Sequence, residues 1–350
     1  MVAYASVAPN TVTSQIPIET MRGVAIVLLV SYHVIGSNQS SGLGIAYPEM
    51  LRLFADFFID VRMPFFAFIA GLVYAIRPPS ASGYLRFIKG KITRLFLPCV
   101  FASLLFAWLA IMSGSKFALP ISDFVFLPFV SYAHFWFLQS LLAIFALYGL
   151  LDAIAGRRFS CLFLFAGVAV YLSPLTAQAT LMSMNGAIYL FPYFMLGVVL
   201  NRYGTQIWCD SDRLSLLLLC VVVVCALWNI KILYETGSFS TVRRDFQSLG
   251  FGSAICVLSF LCAPRLPLLE RLSRYGFTIY LYHVFGSAAA REACDLLMIA
   301  SVELRFAAGL VAGLALPIAL QSFLTKLPLL DQLLLGRRHR SEDRRAVLNA

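Results

Sequence analysis

The sequence predicts an all-α polytopic membrane protein, a bundle of about ten transmembrane helices with both termini in the cytoplasm. Hydrophobic residues make up 60% of the 350 residues and charged residues only 13%, a balance that a water-soluble fold of this length does not have. Apolar runs of about 20 residues, the length that crosses a bilayer, recur along the whole chain. Basic residues are concentrated in every second segment between these runs.

The apolar runs predict ten spans. They are apolar on every side, whereas strands of a membrane barrel would alternate apolar and polar residues, so we expect helices. Residues 1–17 lack the basic start of a signal peptide and are expected to be a flexible tail. Residues 18–325 would form the membrane domain and residues 326–350 a basic cytoplasmic tail. The predicted spans are 18–37, 54–76, 92–113, 132–152, 159–175, 185–201, 213–234, 247–263, 275–291 and 303–324.

The distribution of positive charge predicts the orientation. Of the 27 lysines and arginines, eighteen fall on the side of the N-terminus, seven on the opposite side, and Arg22 and Arg62 lie within spans. Excess positive charge marks the cytoplasmic side. It also accounts for the net charge of +10 without a nucleic-acid partner, and the basic tail would favour anionic lipid of the bilayer.

Arg22 and His33 share the first predicted helix. Eleven residues make about three helical turns, so both side chains project from one face, separated by about 16 Å along the axis. An ionisable group inside a membrane helix usually works in a polar cavity. The pair is therefore the strongest candidate for a functional site. No cysteine or histidine spacing in the chain suggests a metal site.

The second span carries charged residues close to the predicted depth of His33. Asp60 and Arg62 precede Pro64, which removes a backbone donor and can kink the helix. An opened helix beside charged groups predicts a polar pocket. An interfacial Asp/Arg pair within reach of lipid headgroups is the alternative, and it is favoured for Asp56.

A basic stretch precedes the third span. Lys89, Lys91 and Arg94 would lie at the cytoplasmic mouth of the bundle, where cations suit a ligand with several phosphates. Ordinary topological anchoring explains the same charges, and composition alone favours it.

Five motifs in order resemble the integral-membrane acyltransferase-three family, which includes O-acetyltransferases of bacterial polysaccharides, nodulation factors and periplasmic glucans. The resemblance covers about residues 18 to 285, and the order of the motifs is more specific than any one of them. The motifs are the Glu-Thr-Met-Arg-Gly opening with His33 eleven residues after Arg22, the run from Arg62 to Gly71, the basic run from Phe87 to Pro98, His134-Phe-Trp-Phe-Leu138, and the run from Tyr275 to His283.

The resemblance implies a multi-pass enzyme of the bacterial cytoplasmic membrane. It would transfer an acyl group, acetyl being the commonest in the family, from cytoplasmic acyl-CoA to a hydroxyl of a saccharide or glycolipid. Acyl-CoA would be a substrate, with no permanently bound cofactor. The essential arginine and histidine of the family carry over to Arg22 and His33, and its basic loop to Lys89, Lys91 and Arg94. The family commonly has Arg at the two lysine positions, and Lys lacks the bidentate fork of Arg.

The chemistry of the residues fits acyl transfer independently. A histidine has an unperturbed pKa near neutrality, so His33 could take the hydroxyl proton as general base, or it could itself be the nucleophile. Arg22 could steer the donor or stabilise the thioester oxyanion. His283 and Tyr280, at helical spacing in the ninth span, are weaker substrate-binding candidates together with Asp60 and Arg62. A packing role explains His283 equally well, and His134 sits where interfacial aromatic belts are expected.

Two readings from other classes remain open. A transporter of an anionic or sugar-linked substrate would also retain buried Arg and His, although the chain has no internal repeat of the kind that transporters often show. A structural or sensory membrane protein would not need the Arg22/His33 pair. The acceptor, the acyl chain and the oligomeric state do not follow from the sequence.

Overall fold

The chain is helical throughout the residues that the computed structural model describes, which are 17–174, 181–207, 211–240 and 242–337. Within these ranges there is no β-strand, and one isolated antiparallel bridge joins Val130 and Leu181. The all-helical prediction is confirmed. Most of the predicted N-terminal tail and residues 338–350 of the predicted basic tail lie outside the described residues.

Fourteen α-helices are described. In the long helices, apolar residues run around the whole helix surface, as membrane helices require, and short polar or proline-containing segments separate the helices. The helices are α1 Ile18–Ile35, α2 Met50–Phe57, α3 Ile59–Ile76, α4 Tyr84–Lys91, α5 Leu97–Met112, α6 Trp136–Ala155, α7 Ser160–Leu172, α8 Met184–Ile207, α9 Ser211–Thr236, α10 Phe246–Cys262, α11 Pro267–Ser273, α12 Gly276–Leu296, α13 Val302–Leu324 and α14 Pro328–Leu335.

Seven helical stretches in the described part of the chain are long and apolar enough to cross a membrane. The bent pair α10 and α11, with an angle of 117° between its halves, makes an eighth if it forms one span. Each of the ten predicted spans contains a helix. Helix α7 has only 13 residues and rises about 20 Å, and polar residues along α12 lower its hydropathy. The count of ten therefore stays a prediction.

The bundle has two ends, which are named here after residues of α1. Arg22 lies in the second turn of α1, whereas His33 lies in its last turn. The Arg22 end also holds the last turn of α3 and the whole of α4, and the His33 end holds α2 and the loop that follows α5.

Helices α3 and α8 approach each other closely through glycine. A Cβ at Gly71 would stand 1.9 Å from the carbonyl oxygen of Phe194, and one at Gly197 would stand 2.2 Å from that of Phe68. Neither distance is possible for a real side chain, so only glycine permits this contact. Small residues are a common means of helix association in membranes, where backbone contact replaces the hydrophobic effect. The pair forms the centre of the bundle.

A π-helical turn, Ile92–Phe96, joins α4 to α5. Pro98 has no backbone N–H and cannot donate to the carbonyl of Arg94, so the regular hydrogen-bond ladder is interrupted at this point. The turn lets α4 lie across the Arg22 end while α5 enters the bundle.

A buried ion pair joins α6 and α8 at the Arg22 end. The Arg202 guanidinium donates to both carboxylate oxygens of Asp152, at 2.8 and 2.6 Å, and both side chains are buried. Tyr74 of α3 donates to the same carboxylate at 2.8 Å, and Ser160 of α7 accepts from Arg202 at 2.6 Å. One network therefore joins four helices, and its charges are hydrogen-bonded on several sides.

Helix α14 falls within the predicted basic tail and packs against the bundle. The hydroxyl of Tyr282 donates to the carbonyl of Leu334 at 3.2 Å, and Leu335 is buried. Gly336 ends the helix in a left-handed conformation, with φ +65°, against the backbone of Arg94. Residues 328–336 are thus folded onto the Arg22 end.

Candidate active site

Three histidines, from α1, from α12 and from the turn that leads into α6, meet near the His33 end. The ring centroid of His33 lies 4.8 Å from that of His283 and 5.7 Å from that of His134, and the latter two are 5.2 Å apart. His283 is fully buried and His134 nearly so, while His33 is partly exposed. The structure therefore brings together the strong candidate His33 and both of the weaker histidines.

Backbone carbonyls set the tautomers of two of these histidines. Nδ1 of His33 lies 2.9 Å from the carbonyl oxygen of Leu29, and Nδ1 of His283 lies 2.8 Å from that of Ile279. A carbonyl oxygen only accepts, so each Nδ1 carries the proton and each Nε2 has a free lone pair. Nε2 of His283 is buried and has no hydrogen-bond partner among the described residues. His33 therefore has a free lone pair on Nε2, and its ring is more accessible than that of His283.

Each histidine is held by a different local feature. His33 belongs to the last turn of α1, and His283 lies in the middle of α12. His134 lies in a short 3₁₀ turn, Ala133–Phe135, that leads into α6, and the hydroxyl of Tyr280 donates to its backbone carbonyl. Tyr280 thus fixes the position of the histidine cluster and uses its own proton for that contact.

Arg62 lies beside His33. Its guanidinium carbon stands 3.4 Å from the centroid of the Tyr32 ring, a cation–π contact in a buried environment. The positive charge of Arg62 also acts electrostatically on His33. Asp60, two residues earlier, is buried as well, and its Oδ1 has no hydrogen-bond partner in the described part of the chain. The interruption between α2 and α3 falls at Phe58, before Asp60, and α3 continues through Pro64.

A loop closes the His33 end of α1. Arg52 is buried and donates to the carbonyls of Gly36, at 2.8 Å, and of Ile45, at 3.1 Å. Asp56 faces Arg52 at 3.5 Å and accepts a hydrogen bond from Tyr47 at 2.7 Å. Burial and this hydrogen bond raise the pKa of Tyr47 to about 12, so it stays a neutral donor. The Asp56 and Arg52 pair is part of the protein fold.

A cavity of about 620 Å³ opens at the Arg22 end. Its walls are mainly apolar and aromatic, and three cations, Arg22, Arg77 and Lys91, line it together with Tyr280. The Lys91 ammonium lies 3.7 Å from the ring centroid of Phe145. The cavity therefore extends from cationic groups to Tyr280, which contacts the histidine cluster directly.

The structure separates the predicted donor-binding residues. Lys91 is partly buried and lines the cavity, whereas Lys89 and Arg94 are exposed and do not. Arg22 forms a salt bridge of 2.9 Å with Glu19, whose carboxylate also accepts from Ser273. These contacts fix Arg22 at the junction of α1 with α11 and α12. Within the described residues, no set of three histidine, cysteine or acidic side chains is arranged to hold a metal ion.

Comparison with known families decides the class of the protein. The family model described as "Acyltransferase domain", that of the acyltransferase-3 family, matches residues 17–321. The chain belongs to the acyltransferase-3 family. No curated protein and no solved structure matches the chain. Family membership and the apolar helices together indicate a multi-pass membrane acyltransferase.

Several residues of this acyltransferase were not singled out by the sequence. Arg77 lines the cavity beside Arg22, although its position just after an apolar span made it look like a topological anchor. Asp152 and Arg202 meet only through the packing of α6 on α8. Phe106 of α5 contacts His134, with ring centroids 5.9 Å apart, and no sequence signal distinguishes it from its apolar neighbours.

Proposed function

We propose that this acyltransferase transfers an acetyl group from cytoplasmic acetyl-CoA to a hydroxyl of a cell-envelope or exported saccharide, with His33 as general base. One observation carries the proposal: a cavity with cations at one end reaches Tyr280, whose hydroxyl donates to His134 in the histidine cluster, and in that cluster Nε2 of His33 is free to accept a proton. A CoA thioester has a phosphate-rich head and a long thin arm. It fits an entrance with cations and a narrow apolar interior.

The cations have distinct roles in this proposal. Arg22, Arg77 and Lys91 contact the phosphates of the donor. Of the two roles considered for Arg22, steering and oxyanion stabilisation, the geometry favours steering. Eleven residues of continuous helix separate Arg22 from His33, about 16 Å, so one side chain cannot reach the carbonyl on which the other acts.

The reaction at His33 follows from its tautomer. As the acceptor oxygen attacks the thioester carbonyl, Nε2 of His33 takes the hydroxyl proton, and Nδ1–H stays bonded to the carbonyl of Leu29. The tetrahedral intermediate then collapses, the carbon–sulfur bond breaks, and the proton passes from Nε2 to the departing thiolate. Arg62, whose charge acts on this histidine, stabilises the oxyanion.

In the proposed orientation of the bundle, the Arg22 end faces the cytoplasm and the His33 end lies at the outer face of the inner membrane. The positive charges that flank the helices support it. The acetyl group then reaches the outer half of the bundle along the cavity, and the saccharide meets it there.

Mass spectrometry of cell-envelope glycans tests the proposal. Cells with and without the gene are compared, and the deletion strain is complemented with the wild-type chain or with a His33→Asn variant. We expect a saccharide in the deletion strain that lacks the mass of one acetyl group, restored by the wild-type chain only. Identical glycans in all strains would contradict an acceptor of this class. Uptake of an unmodified saccharide without a mass change would favour a transporter.

A further inference from the structure

The described structure holds a second cavity, of about 570 Å³, at the His33 end of the bundle. Its walls come from the loop after α1, the loop after α5, the last turns of α12 and the first turn of α13. We call it the cationic cleft and define it by Ser40, Lys116, Phe117, Arg291, Asp295 and Arg305. None of these residues lines the cavity at the Arg22 end, which we call the donor cavity because the proposal places the acyl donor there, and none takes part in the proposed base chemistry.

The charge of the cleft favours an anion. Three cations and one carboxylate line it. Arg305 pairs with that carboxylate, Asp295, and Arg291 lies 3.5 Å from the exposed Glu292, which is outside the lining. Lys116 donates to the carbonyl of Ser40 at 2.9 Å, a neutral acceptor that does not offset a positive charge. Nε of Arg305 is buried and has no partner in the described residues. The lining of the cleft therefore carries a net positive charge, and Nε–H of Arg305 is a hydrogen-bond donor that an anion could use.

The cleft adjoins the histidine cluster through a single aromatic ring. The ring centroid of Phe117, in the cleft, lies 5.8 Å from that of Phe106, which in turn lies 5.9 Å from that of His134. His134 contacts His33. A ligand in the cleft is thus one side chain away from the cluster, on the side opposite to the donor cavity.

We propose that the cationic cleft binds the acceptor and that the acceptor is a saccharide with an anionic group, a phosphate or a carboxylate. The anionic group contacts Lys116 and Arg291, the apolar face of a sugar ring lies on Phe117, and a hydroxyl points past Phe106 towards His33. The volume fits a ligand of one or two sugar rings. This inference rests on the proposed function, because it names the acceptor class of the same reaction.

A binding experiment tests the cleft without requiring catalysis. The full chain is placed in nanodiscs of phosphatidylcholine, and the affinities of glucose 6-phosphate and of glucose are measured by calorimetry. We expect glucose 6-phosphate to bind at least about tenfold more tightly. A Lys116→Gln, Arg291→Gln double variant should lose that difference, because each charge-assisted contact is worth about tenfold or more. Equal affinity for both sugars in the wild-type chain would overturn the proposal.

A matched variant controls for general positive charge at this end. Lys231→Gln removes an exposed cation near the end of α9, outside the cleft, and should leave the affinity for glucose 6-phosphate unchanged. An equal loss in both variants would show a diffuse field and overturn the cleft as a site.

Lipid headgroups are the other source of anions. Replacing part of the phosphatidylcholine by phosphatidylglycerol should leave the affinity for glucose 6-phosphate within about twofold. If phosphatidylglycerol abolishes the binding, the cleft is a headgroup site and the saccharide assignment is wrong. A His33→Asn variant that retains binding but lacks transfer supports both proposals. Intact binding by a wild-type chain that transfers no acetyl group would overturn only the proposed function.

Discussion

Replacement of His33 by asparagine isolates its role as a base. The side-chain amide of asparagine places an N–H close to the position of Nδ1, so the hydrogen bond to the carbonyl of Leu29, 2.9 Å in the wild-type chain, can be retained. The free lone pair of Nε2 is lost. The variant therefore keeps the packing contact and removes only the group that accepts the proton.

The magnitude separates catalysis from packing. Loss of a general base costs about 10²- to 10⁴-fold in rate, or about 3 to 5 kcal/mol of activation free energy. A polar packing role amounts to one ordinary hydrogen bond of about 1 kcal/mol, which is less than tenfold. We expect a loss of at least about a hundredfold. The assay follows radiolabelled acetyl from acetyl-CoA into the saccharide fraction of membrane vesicles, normalised to the amount of folded protein.

His283 provides a matched control for this substitution. Its Nδ1 donates to a backbone carbonyl in the same way, but its ring is fully buried, so the His283→Asn variant should lose less activity than His33→Asn. If His33→Asn retains more than about a tenth of the wild-type rate, the base assignment is refuted. If His283→Asn is the more severely affected variant, the base is His283.

Three further predictions concern the donor, the buried ion pair and the orientation. Lys91→Gln should raise the Michaelis constant for acetyl-CoA by about tenfold or more, because a charge-assisted contact in the cavity is lost. The Lys89→Gln variant, at an exposed position outside the cavity, should not raise it. Equal effects of the two variants would indicate that both lysines are topological anchors. Asp152→Ala should destabilise the protein by about 3 to 5 kcal/mol, since an arginine charge stays buried without its partner, and an unchanged melting temperature in detergent would contradict this. A membrane-impermeant maleimide added to intact cells should label an Ala118→Cys variant, in an exposed loop of the His33 end, above the wild-type background and should not label Ser82→Cys; the reverse pattern would invert the orientation.

The cavity at the Arg22 end separates the three basic residues of the stretch before α5, which their sequence alone does not distinguish. Lys89, Lys91 and Arg94 have the same charge and similar spacing, and composition cannot tell an anchor from a ligand-binding group. The packing of α4 across the Arg22 end turns Lys91 onto the Phe145 ring and leaves the other two exposed. Side-chain direction in a short helix depends on the surface that it covers, and another part of the chain supplies that surface.

In the histidine cluster, too, the sequence identifies one residue and the packing of the helices brings in the others. Local sequence identified His33, because an ionisable residue in an apolar helix is conspicuous by itself. It left His134 and His283 equally consistent with packing. They lie 149 positions apart in the chain, and only the association of α1, α6 and α12 brings their rings within about 5 Å of each other.

The sequence by itself determined the helical class, a helix at every predicted span, the Arg22 and His33 pair and the resemblance that the family comparison confirmed. These properties depend on local hydrophobicity and on residue order, which a chain carries without folding. The tertiary structure decided which charges line a cavity, which histidines meet, and that Asp152 is paired with Arg202. Such contacts join residues that are distant in the chain, and they depend on how whole helices pack, with Gly71 and Gly197 setting the closest approach.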